Sequence, residues 1–461
     1  MKHTDICDLK RDYDKLIGSE VTLCGWIKTM RNSKQICFIE INDGTSLSNV
    51  QIVIDKENFE DTYGVLKQIV GASLKVSGLI VASPGSKQPF EVAAKQIEVL
   101  GSAPADYPLQ KKAHSLEYLR TIPHLRVRTN TFNAMFRLRS QLAYAVHDFF
   151  RANNFVYVHT PIITGSDCEG AGEVFNVTVH NYGDVFASQE EYDATDFFRR
   201  KSGLTVSGQL EGETMAMGLG KIYTFGPTFR AENSFTPKHA AEFWMIEPEV
   251  AFADLNDIID LAQRMIKYIT NHCLATCSDE LVFFRDFFEK GLLDKLDTVA
   301  NSEYAVCDYT EAITLLEKAD RKFDYPVSWG LDLQTEHERY LTEEIFKRPT
   351  FVVNYPKEIK SFYMKQNPDG KTVAASDLLV PGIGEIIGGS QREDDYGKLI
   401  EVMQSRGMNL DDYKYYLDLR KYGSAPHSGY GLGFDRMLMY ITGIGNIRDT
   451  IPYPRTTGSL L

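Results

Sequence analysis

The segment Tyr223–Val250 combines an arginine, several carboxylates and an aromatic residue at a spacing that suits nucleotide binding. Two apolar runs flank a polar loop that contains a proline, so the segment predicts a long β-hairpin. Strand alternation places Arg230 and Glu232 on one face, and Phe243 together with Glu247 on a face of the return strand. A guanidinium neutralises a phosphate, and an aromatic ring stacks on a base. A cross-strand ion pair on an ordinary sheet is the alternative interpretation.

A glycine-rich stretch near the C-terminus, Ser428–Tyr440, predicts a strand that leads into an amphipathic helix. Glycines allow a ligand to approach the backbone closely. Arg436 falls in the first helical turn, where its charge adds to a helix start that already favours anions. The stretch therefore predicts an anion site, and glycines that merely pack before a core helix are the alternative.

A second glycine-rich stretch, Pro381–Glu393, carries acidic and basic side chains. Glu385, with Asp377 as a helper, can bind a hard cation such as Mg²⁺ that bridges ATP phosphates. The adjacent glycines let a substrate lie against the backbone, which leaves Arg392 free to reach it. A glycine-rich turn with a surface arginine is the alternative.

Composition describes the kind of protein that must position these residues. At 461 residues the chain predicts two or three folding units, and 43% hydrophobic with 25% charged residues is typical of soluble globular proteins. Seven scattered cysteines without a CxxC pair predict free thiols in a reducing compartment. No signal peptide and no membrane-spanning stretch is recognisable, so we expect a cytoplasmic protein. The net charge of −13 does not exclude a nucleic-acid partner, because local basic groups decide phosphate contacts.

The first hundred residues predict five short strands and one intervening helix, Glu57–Gly71. This pattern suits a Greek-key barrel of the oligonucleotide-binding (OB-fold) type over residues 1–101. Residues 102–125 contain three prolines and predict a connector. The predicted strands are Val21–Ile27, Ile36–Ile41, Val50–Ile54, Ser73–Ile80 and Glu91–Leu100.

Residues 126–461 predict a larger α+β domain with an antiparallel sheet as its core. Apolar residues recur at helical spacing over Thr131–Asn153. The region from about 254 to 349 is expected to be mainly helical. Further strands are predicted at Phe155–Val158, Ile222–Phe225, Thr228–Glu232, Phe243–Phe252 and Thr350–Val353.

The order of three features resembles the three motifs of class II aminoacyl-tRNA synthetases. These are the helix and strand that end at Pro161, the hairpin with Phe229–Glu232, and the segment Gly431–Arg436. Four further runs are similar to the asparaginyl members of the aspartyl, asparaginyl and lysyl subgroup: Thr205–Leu210, Glu242–Glu249, Gly384–Arg392 and Ile447–Arg455. The resemblance extends from about residue 20 to the C-terminus.

This resemblance implies a set of ATP contacts. Arg230 would hold the α-phosphate, Phe243 would stack on adenine, and Arg436 would bind the γ-phosphate. Glu232 would accept from the adenine amino group, and His239 would approach the outer phosphates. Arg230 and Arg436, together with Glu385, are the expected catalytic residues, and no covalent nucleophile is required.

The resemblance also implies the remaining ligands. Glu385 and Asp377 would hold Mg²⁺. The ammonium group of L-asparagine would meet Glu169, Ser207 and Gln209.

Specificity for asparagine is expected from Arg392, Glu247 and Gly212. Arg392 can donate to the side-chain amide oxygen of asparagine while Glu247 accepts from its NH₂ group. Aspartyl relatives carry a lysine at the position of Gly212, so one positive charge is missing here. Aspartate would set its carboxylate against Glu247. The alternatives are an aspartyl-tRNA synthetase, with or without the ability to charge both tRNAs, an ammonia-dependent asparagine synthetase and a catalytically inactive binding protein.

In this family the N-terminal barrel binds the anticodon. Phe38 would stack on an anticodon base of tRNA(Asn), and Gln51 would read the central uridine. Phe38 as an ordinary barrel-core residue is the alternative. The helix before Pro161 implies a homodimer. Lys238 stands where relatives carry an arginine, so a bidentate contact is lost there.

Overall fold

The computed structural model describes residues 2–61, 64–85, 88–166, 168 and 173–460. The chain divides into two compact units, Met1–Arg137 and Leu138–Leu461. Helices α1 to α14 span Ile6–Leu16, Leu116–Arg120, Pro123–Arg126, Asn130–Ala152, Gln189–Thr195, Gln209–Leu219, Leu255–Thr276, Ser278–Phe287, Leu292–Asn301, Tyr309–Glu317, Thr335–Arg339, Tyr396–Ser405, Lys414–Lys421 and Phe434–Thr442. Strands β1 to β15 span Glu20–Asn32, Ile36–Asn42, Val50–Asp55, Ser73–Ala82, Phe90–Gly101, Val156–Tyr157, Ile163–Thr164, Gly203–Leu204, Lys221–Phe229, Glu242–Ala251, Ala305–Asp308, Thr350–Pro356, Thr372–Val380, Gly384–Gln391 and His427–Gly433.

The N-terminal unit contains a closed five-stranded barrel with the strand order β1-β2-β3-β5-β4. Its strands bury every second residue, as in Val50–Asp55, where Val50, Ile52 and Ile54 face the core. The predicted OB-fold barrel is therefore confirmed. The domain boundaries predicted at residues 101 and 125 stay a prediction. The two compact units of the structure instead divide the chain after Arg137.

Helix α1 belongs to the barrel unit and was missed in the sequence, where residues 1–20 show only a charged surface. Ile6 and Leu9 are both fully buried in the same apolar cluster as the barrel strands. Two apolar residues among many charges give too weak a pattern to predict a packed helix.

Replacing Leu9 with alanine should destabilise the barrel unit, because Leu9 is 0% exposed. The free energy of unfolding is expected to fall by about 2–5 kcal/mol, the range for truncating a buried leucine. Urea unfolding measures the change, in a full chain whose other two tryptophans, Trp244 and Trp329, are replaced by phenylalanine so that the fluorescence reports Trp26. The exposed Asp14→Ala on the same helix is the control and should leave the midpoint nearly unchanged.

The helix predicted over Glu57–Gly71 is wrong for the described part of that range, which contains only a 3₁₀ turn, Val65–Lys67. The carboxylate of Asp61 accepts the N–H groups of Val65 and Leu66 at 2.5 and 3.3 Å. Gly64 and Gly71 adopt positive φ angles of 65° and 94°. These left-handed positions limit the segment to a single turn.

An eight-stranded sheet forms the core of the C-terminal unit, in the order β11-β12-β13-β14-β15-β10-β9-β6. Its six central strands are antiparallel, and the two edge strands β11 and β6 run parallel to their neighbours. The predicted antiparallel core is confirmed. The region near 254–349 contains α7 to α11 and a π-helical turn, Tyr340–Ile345.

The hairpin predicted over Tyr223–Val250 differs from its prediction at the end of the first strand. β9 is one strand where two were predicted, and it ends at Phe229, so Glu232 lies in the loop rather than on the strand. Arg230 still donates its backbone N–H to the carbonyl of Ala241 at 3.0 Å. Glu232 is thus positioned by the loop and not by strand alternation.

Among the described residues, no helix is both long enough and apolar enough to cross a membrane.

Candidate functional site

A pocket of about 760 Å³, partly open to solvent, lies on the antiparallel sheet of the C-terminal unit. Strand β10, the loop after β9, strands β14 and β15 and the start of α14 form its walls. Six of the residues predicted from the sequence line it: Arg230, Glu232, His239, Phe243, Glu385 and Arg436. The fold thus brings together residues that are up to 206 positions apart in the chain.

Arg230 and Phe243 form the centre of the pocket. The guanidinium carbon of Arg230 lies 5.3 Å from the centre of the Phe243 ring, within the range of a cation–π contact. Arg436 enters from the first turn of α14, so a second guanidinium faces the same space. Two guanidinium groups and one aromatic ring in the same pocket suit a nucleoside triphosphate, whose phosphates bind the cations and whose base stacks on the ring.

Glu232 and His239 are paired with each other in the loop of the hairpin. Nε2 of His239 lies 3.3 Å from Oε2 of Glu232, and Nδ1 contacts the hydroxyl of Thr236. Burial lowers the pKa of His239, although Glu232 opposes this shift. These contacts fix the loop, and both side chains still line the pocket.

Lys238 connects the hairpin loop to the turn between β13 and β14. Its Nζ donates to the carbonyl of Ile383 at 2.5 Å, and burial lowers its pKa. On the far side of that turn, Glu343 accepts the N–H of Gly382 at 2.8 Å and Glu338 accepts the N–H of Glu385 at 3.3 Å. Lys238 is therefore one of three side chains that hold the turn before Glu385.

Glu385 and Asp377 lie on the neighbouring strands β14 and β13. A Cβ atom at Gly388 would lie 3.2 Å from Oε1 of Glu385 and 3.6 Å from Oδ1 of Asp377, so both carboxylates converge on this glycine. Burial, reinforced by Asp377, raises the pKa of Glu385 to about 7. Burial and the charge of Glu385 raise the pKa of Glu338 to about 8.

These carboxylates fit a divalent cation. Lys360 donates to Oδ2 of Asp377 at 2.5 Å, which leaves Oδ1 facing Gly388. Burial and the charge of Asp377 raise the pKa of Glu385, and a bound cation would favour its ionised form. Mg²⁺ is commonly bound by one or two carboxylates plus substrate phosphates, so these two ligands suffice.

A second group of polar residues lies at the start of α6, beside β10. Glu247 accepts the backbone N–H of Gly208 at 3.0 Å, the hydroxyl of Thr224 at 3.1 Å and the hydroxyl of Ser207. A carboxylate has about four lone-pair sites, so about one remains for a ligand. Ser207 also accepts the backbone N–H of Gln209 at 3.1 Å.

The alternating residues of β10 connect the two groups. Phe243, Met245, Glu247 and Glu249 point to the same face of the strand, because side chains alternate with a period of two. The nucleotide pocket therefore continues along one strand face toward the polar residues of α6.

Arg392 is buried, and its main partner is Glu249, which the sequence analysis did not single out. Nε donates to Oε2 of Glu249 at 3.2 Å, Nη2 contacts Oε1, and Nη1 donates to Ser390 at 2.8 Å. Two of the five guanidinium N–H groups of Arg392 are left to donate to a ligand. A buried arginine requires a carboxylate partner, so a second glutamate two residues after Glu247 was a usable signal.

The remaining predicted site residues have different outcomes. Glu169 lies outside the described residues. Phe38 lies on the outer face of β2, half-buried between the core residues Cys37 and Ile39, with Arg31 at 5.5 Å from its ring centre. The interpretation of Phe38 as a core residue is therefore wrong.

Gln51 lies on the neighbouring strand β3. Its Nε2 donates to Glu91 at 2.9 Å, and its Oε1 accepts from Arg31 at 3.4 Å. Arg31 therefore contacts both Phe38 and Gln51, and the three side chains form one outer surface of the barrel unit.

Comparison with known proteins adds two family matches. Residues 115–457 match the family described as tRNA synthetases class II (D, K and N). Residues 21–100 match the family described as OB-fold nucleic acid binding domain. The two matched ranges coincide with the sheet that carries the pocket and with the closed barrel.

Individual relatives and structures cover the whole chain. The asparagine–tRNA ligase of Acetivibrio thermocellus is 56% identical over 464 residues, which is 100% of this chain and 99% of the relative. That of Clostridium tetani is 57% identical over 461 residues, with the same coverage. The crystal structure of asparaginyl-tRNA synthetase from Pyrococcus horikoshii complexed with asparaginyl-adenylate superposes with a TM-score of 0.88 at 34% identity, covering 100% of this chain and 99% of that one.

Proposed function

Because the chain belongs to the class II tRNA synthetases and, within them, to the asparagine–tRNA ligases, we propose that it joins L-asparagine to tRNA(Asn) in two steps. ATP first activates the carboxylate of asparagine as an adenylate, and the asparaginyl group is then transferred to the tRNA. The observation that carries the proposal is the convergence of Arg230, Phe243, Glu385 and Arg436 on one pocket beside the polar start of α6.

The first step is an attack of the asparagine carboxylate on the α-phosphorus of ATP, with pyrophosphate as the leaving group. Arg230 binds the α-phosphate and stabilises the charge on its oxygens as the new bond forms. Arg436 holds the γ-phosphate, and Phe243 supports the adenine ring. Glu232 accepts from the adenine amino group, and His239 approaches the outer phosphates. Positioning and charge neutralisation therefore supply the catalysis.

Mg²⁺ would be held by Glu385 and Asp377. When bound, it neutralises phosphate charge and orients the pyrophosphate group for departure. The convergence of both carboxylates on Gly388 supports this assignment.

The preference for asparagine rests on Glu247 and Arg392. The free lone pair of Glu247 accepts from the side-chain NH₂ of asparagine, and a free N–H of Arg392 donates to its amide oxygen. Aspartate would place a carboxylate against Glu247, and a closed pocket makes this repulsion costly. A Cβ at Gly212 would lie 3.7 Å from Cγ of Glu249, whose charge Arg392 already neutralises. The pocket therefore works without the second cation of the aspartyl relatives.

The α-ammonium group of asparagine binds beside the start of α6, where Ser207 and Gln209 offer oxygen acceptors. Glu169, which lies outside the described residues, is proposed as a further ligand of this ammonium group on the resemblance to the family alone. We also propose that the chain forms a homodimer through the surface of α4. Its proposed location is the cytoplasm.

The barrel unit is proposed to bind the anticodon of tRNA(Asn) through the outer surface that contains Phe38, Gln51 and Arg31. Phe38→Leu should lower kcat/KM for tRNA by about tenfold, since loss of one base stack costs about 1–3 kcal/mol. Asparagine-dependent ATP–pyrophosphate exchange should stay unchanged, because it involves no tRNA. Comparison of the two assays measures the effect. Tyr118→Leu, at an exposed aromatic outside the barrel strands, is the matched control.

The complete reaction is tested by charging purified tRNA(Asn) and tRNA(Asp) with labelled asparagine and labelled aspartate. Labelled asparagine on tRNA(Asn) alone is the expected result. Labelled aspartate on tRNA(Asn) would instead support the aspartyl alternative. No charging of either tRNA by an enzyme that performs the exchange reaction would contradict the transfer step.

A further inference from the structure

A buried charged cluster lies beneath the proposed asparagine pocket and is centred on Glu213 of α6. Glu213 is 0% exposed, and four side chains lie within hydrogen-bond distance of its carboxylate. Oε1 accepts from Gln209 at 3.0 Å and from Tyr416 at 2.9 Å. Oε2 accepts from Arg420 at 2.8 Å, and Nε2 of His427 lies 2.8 Å from it. Both oxygens of Glu213 are therefore engaged by protein side chains.

The cluster keeps Glu213 ionised although it is buried. Burial opposes the charge, but Arg420 and His427 hold the pKa of Glu213 below its ordinary value. Arg420 is itself fixed, since its Nε donates to the carbonyl of Glu393 at 2.8 Å. Disrupting a buried carboxylate with this many partners strongly destabilises the fold. The same contacts hold the carboxylate in one orientation.

The charge on Glu213 determines the orientation of the Gln209 side chain. A carboxylate only accepts hydrogen bonds, so the half of the Gln209 amide that faces it must be the NH₂ group. Oε1 of Gln209 then points away from Glu213. Among the described residues no donor is bonded to this oxygen. It is therefore available for a ligand that donates.

We infer that Glu213 is a positioning residue that holds Oε1 of Gln209 toward the ammonium group of the amino-acid substrate. This inference rests on the proposed function, in which Gln209 binds that ammonium group. Glu213 touches no substrate atom. It acts by excluding the flipped amide, which would place NH₂ against NH₃⁺ and leave two donors facing each other.

Replacement of Glu213 by glutamine reverses this orientation. Arg420 can only donate, so it retains the single oxygen of the new amide on the side where Oε2 lies in the wild type. The NH₂ group at position 213 then faces Gln209, whose amide must flip to accept from it. In E213Q the KM for asparagine should rise by about tenfold or more, because a buried donor is left without an acceptor. The KM for ATP should stay within about twofold, since the nucleotide contacts lie elsewhere.

The exchanged pair Gln209→Glu with Glu213→Gln tests the mechanism of the effect. The carboxylate at position 209 accepts from the NH₂ group at position 213 and from the substrate ammonium at the same time. The KM for asparagine should return toward the wild-type value in this double variant. A merely structural role for Glu213 predicts no such recovery, because the cluster around position 213 remains altered.

The assay is amino-acid-dependent ATP–pyrophosphate exchange, with thermal melting recorded for every variant. Tyr416→Phe is the matched control, because it removes two hydrogen bonds of the cluster, one to Glu213 and one from Arg420, but leaves Gln209 bound to Glu213. It should lower the melting temperature without changing the KM for asparagine. Should E213Q fail to fold, Glu213→Asp keeps the charge and withdraws the carboxylate from Gln209, and it should raise the same KM.

The outcomes separate the inference from the proposed function. No exchange with asparagine in the wild type would overturn the proposed function itself. Normal exchange in the wild type, with an unchanged KM for asparagine in folded E213Q or Glu213→Asp, would overturn the positioning role. A raised KM that the exchanged pair does not recover would overturn it as well.

Discussion

Replacing Arg230 with alanine should lower kcat/KM for asparagine-dependent ATP–pyrophosphate exchange by about 10²–10³-fold. Arg230 lies over the ring of Phe243 at 5.3 Å and lines the nucleotide pocket together with Arg436. Its charge acts on the α-phosphate oxygens where negative charge develops. Removal of one such preorganised donor costs about 2.7–4 kcal/mol of transition-state stabilisation.

Whether the loss of activity falls on kcat or on KM distinguishes this role from simple ATP binding. An interaction that strengthens in the transition state lowers kcat, whereas uniform binding changes only KM. Arg230→Lys should recover only part of the activity, because lysine cannot form a bidentate contact. Arg285→Ala on α8 is the control and should have wild-type kinetics. Exchange within about threefold of wild type for Arg230→Ala would contradict the assignment.

Replacing Glu385 with glutamine is the second change with a large expected effect. Exchange activity should fall by about 10²-fold or more, because a metal ion supplies several kcal/mol of charge stabilisation to phosphate chemistry. The Mg²⁺ concentration at half-maximal activity should rise at the same time, which a titration of MgCl₂ at fixed ATP measures. Glu317→Gln, an exposed residue of α10, is the matched control.

Thermal melting separates this effect from unfolding. Burial and Asp377 raise the pKa of Glu385 to about 7, above its ordinary value. A raised acid pKa means that the ionised group destabilises the fold, and that this cost grows as the pH rises toward 7. In Mg²⁺-free buffer near pH 8, Glu385→Gln should therefore melt at the same temperature as wild type or higher. A large drop in melting temperature would indicate a structural role instead.

The sequence was informative wherever a residue's role depends on neighbours along the chain. The barrel strands alternate buried and exposed residues, and helix α4 repeats apolar residues at helical spacing, so both were predictable. Arg230 and Phe243 follow from one hairpin. The approach of Glu385 and Arg436 to the same pocket needed the resemblance to a family, because strand β14 and helix α14, which carry them, are separated in the chain.

The partners within the buried cluster could not be predicted from the sequence. Glu213 and Glu249 lie on a helix and a strand, and their partners Arg420 and Arg392 come from segments more than 140 residues later. Only the packing of these segments in the folded chain shows which carboxylate each arginine neutralises. Helix α1 was missed for a different reason, since two buried residues, Ile6 and Leu9, decide its packing.

The central claim is the activation of asparagine, and amino-acid-dependent ATP–pyrophosphate exchange tests it most directly. Asparagine, aspartate and lysine are compared side by side, with Mg²⁺ present and the folded state verified. Exchange with asparagine alone is the predicted result, because Glu247 rejects the carboxylate of aspartate. Exchange with aspartate would contradict the specificity assigned to Glu247 and Arg392, and exchange with none of the three would contradict the proposed enzyme activity.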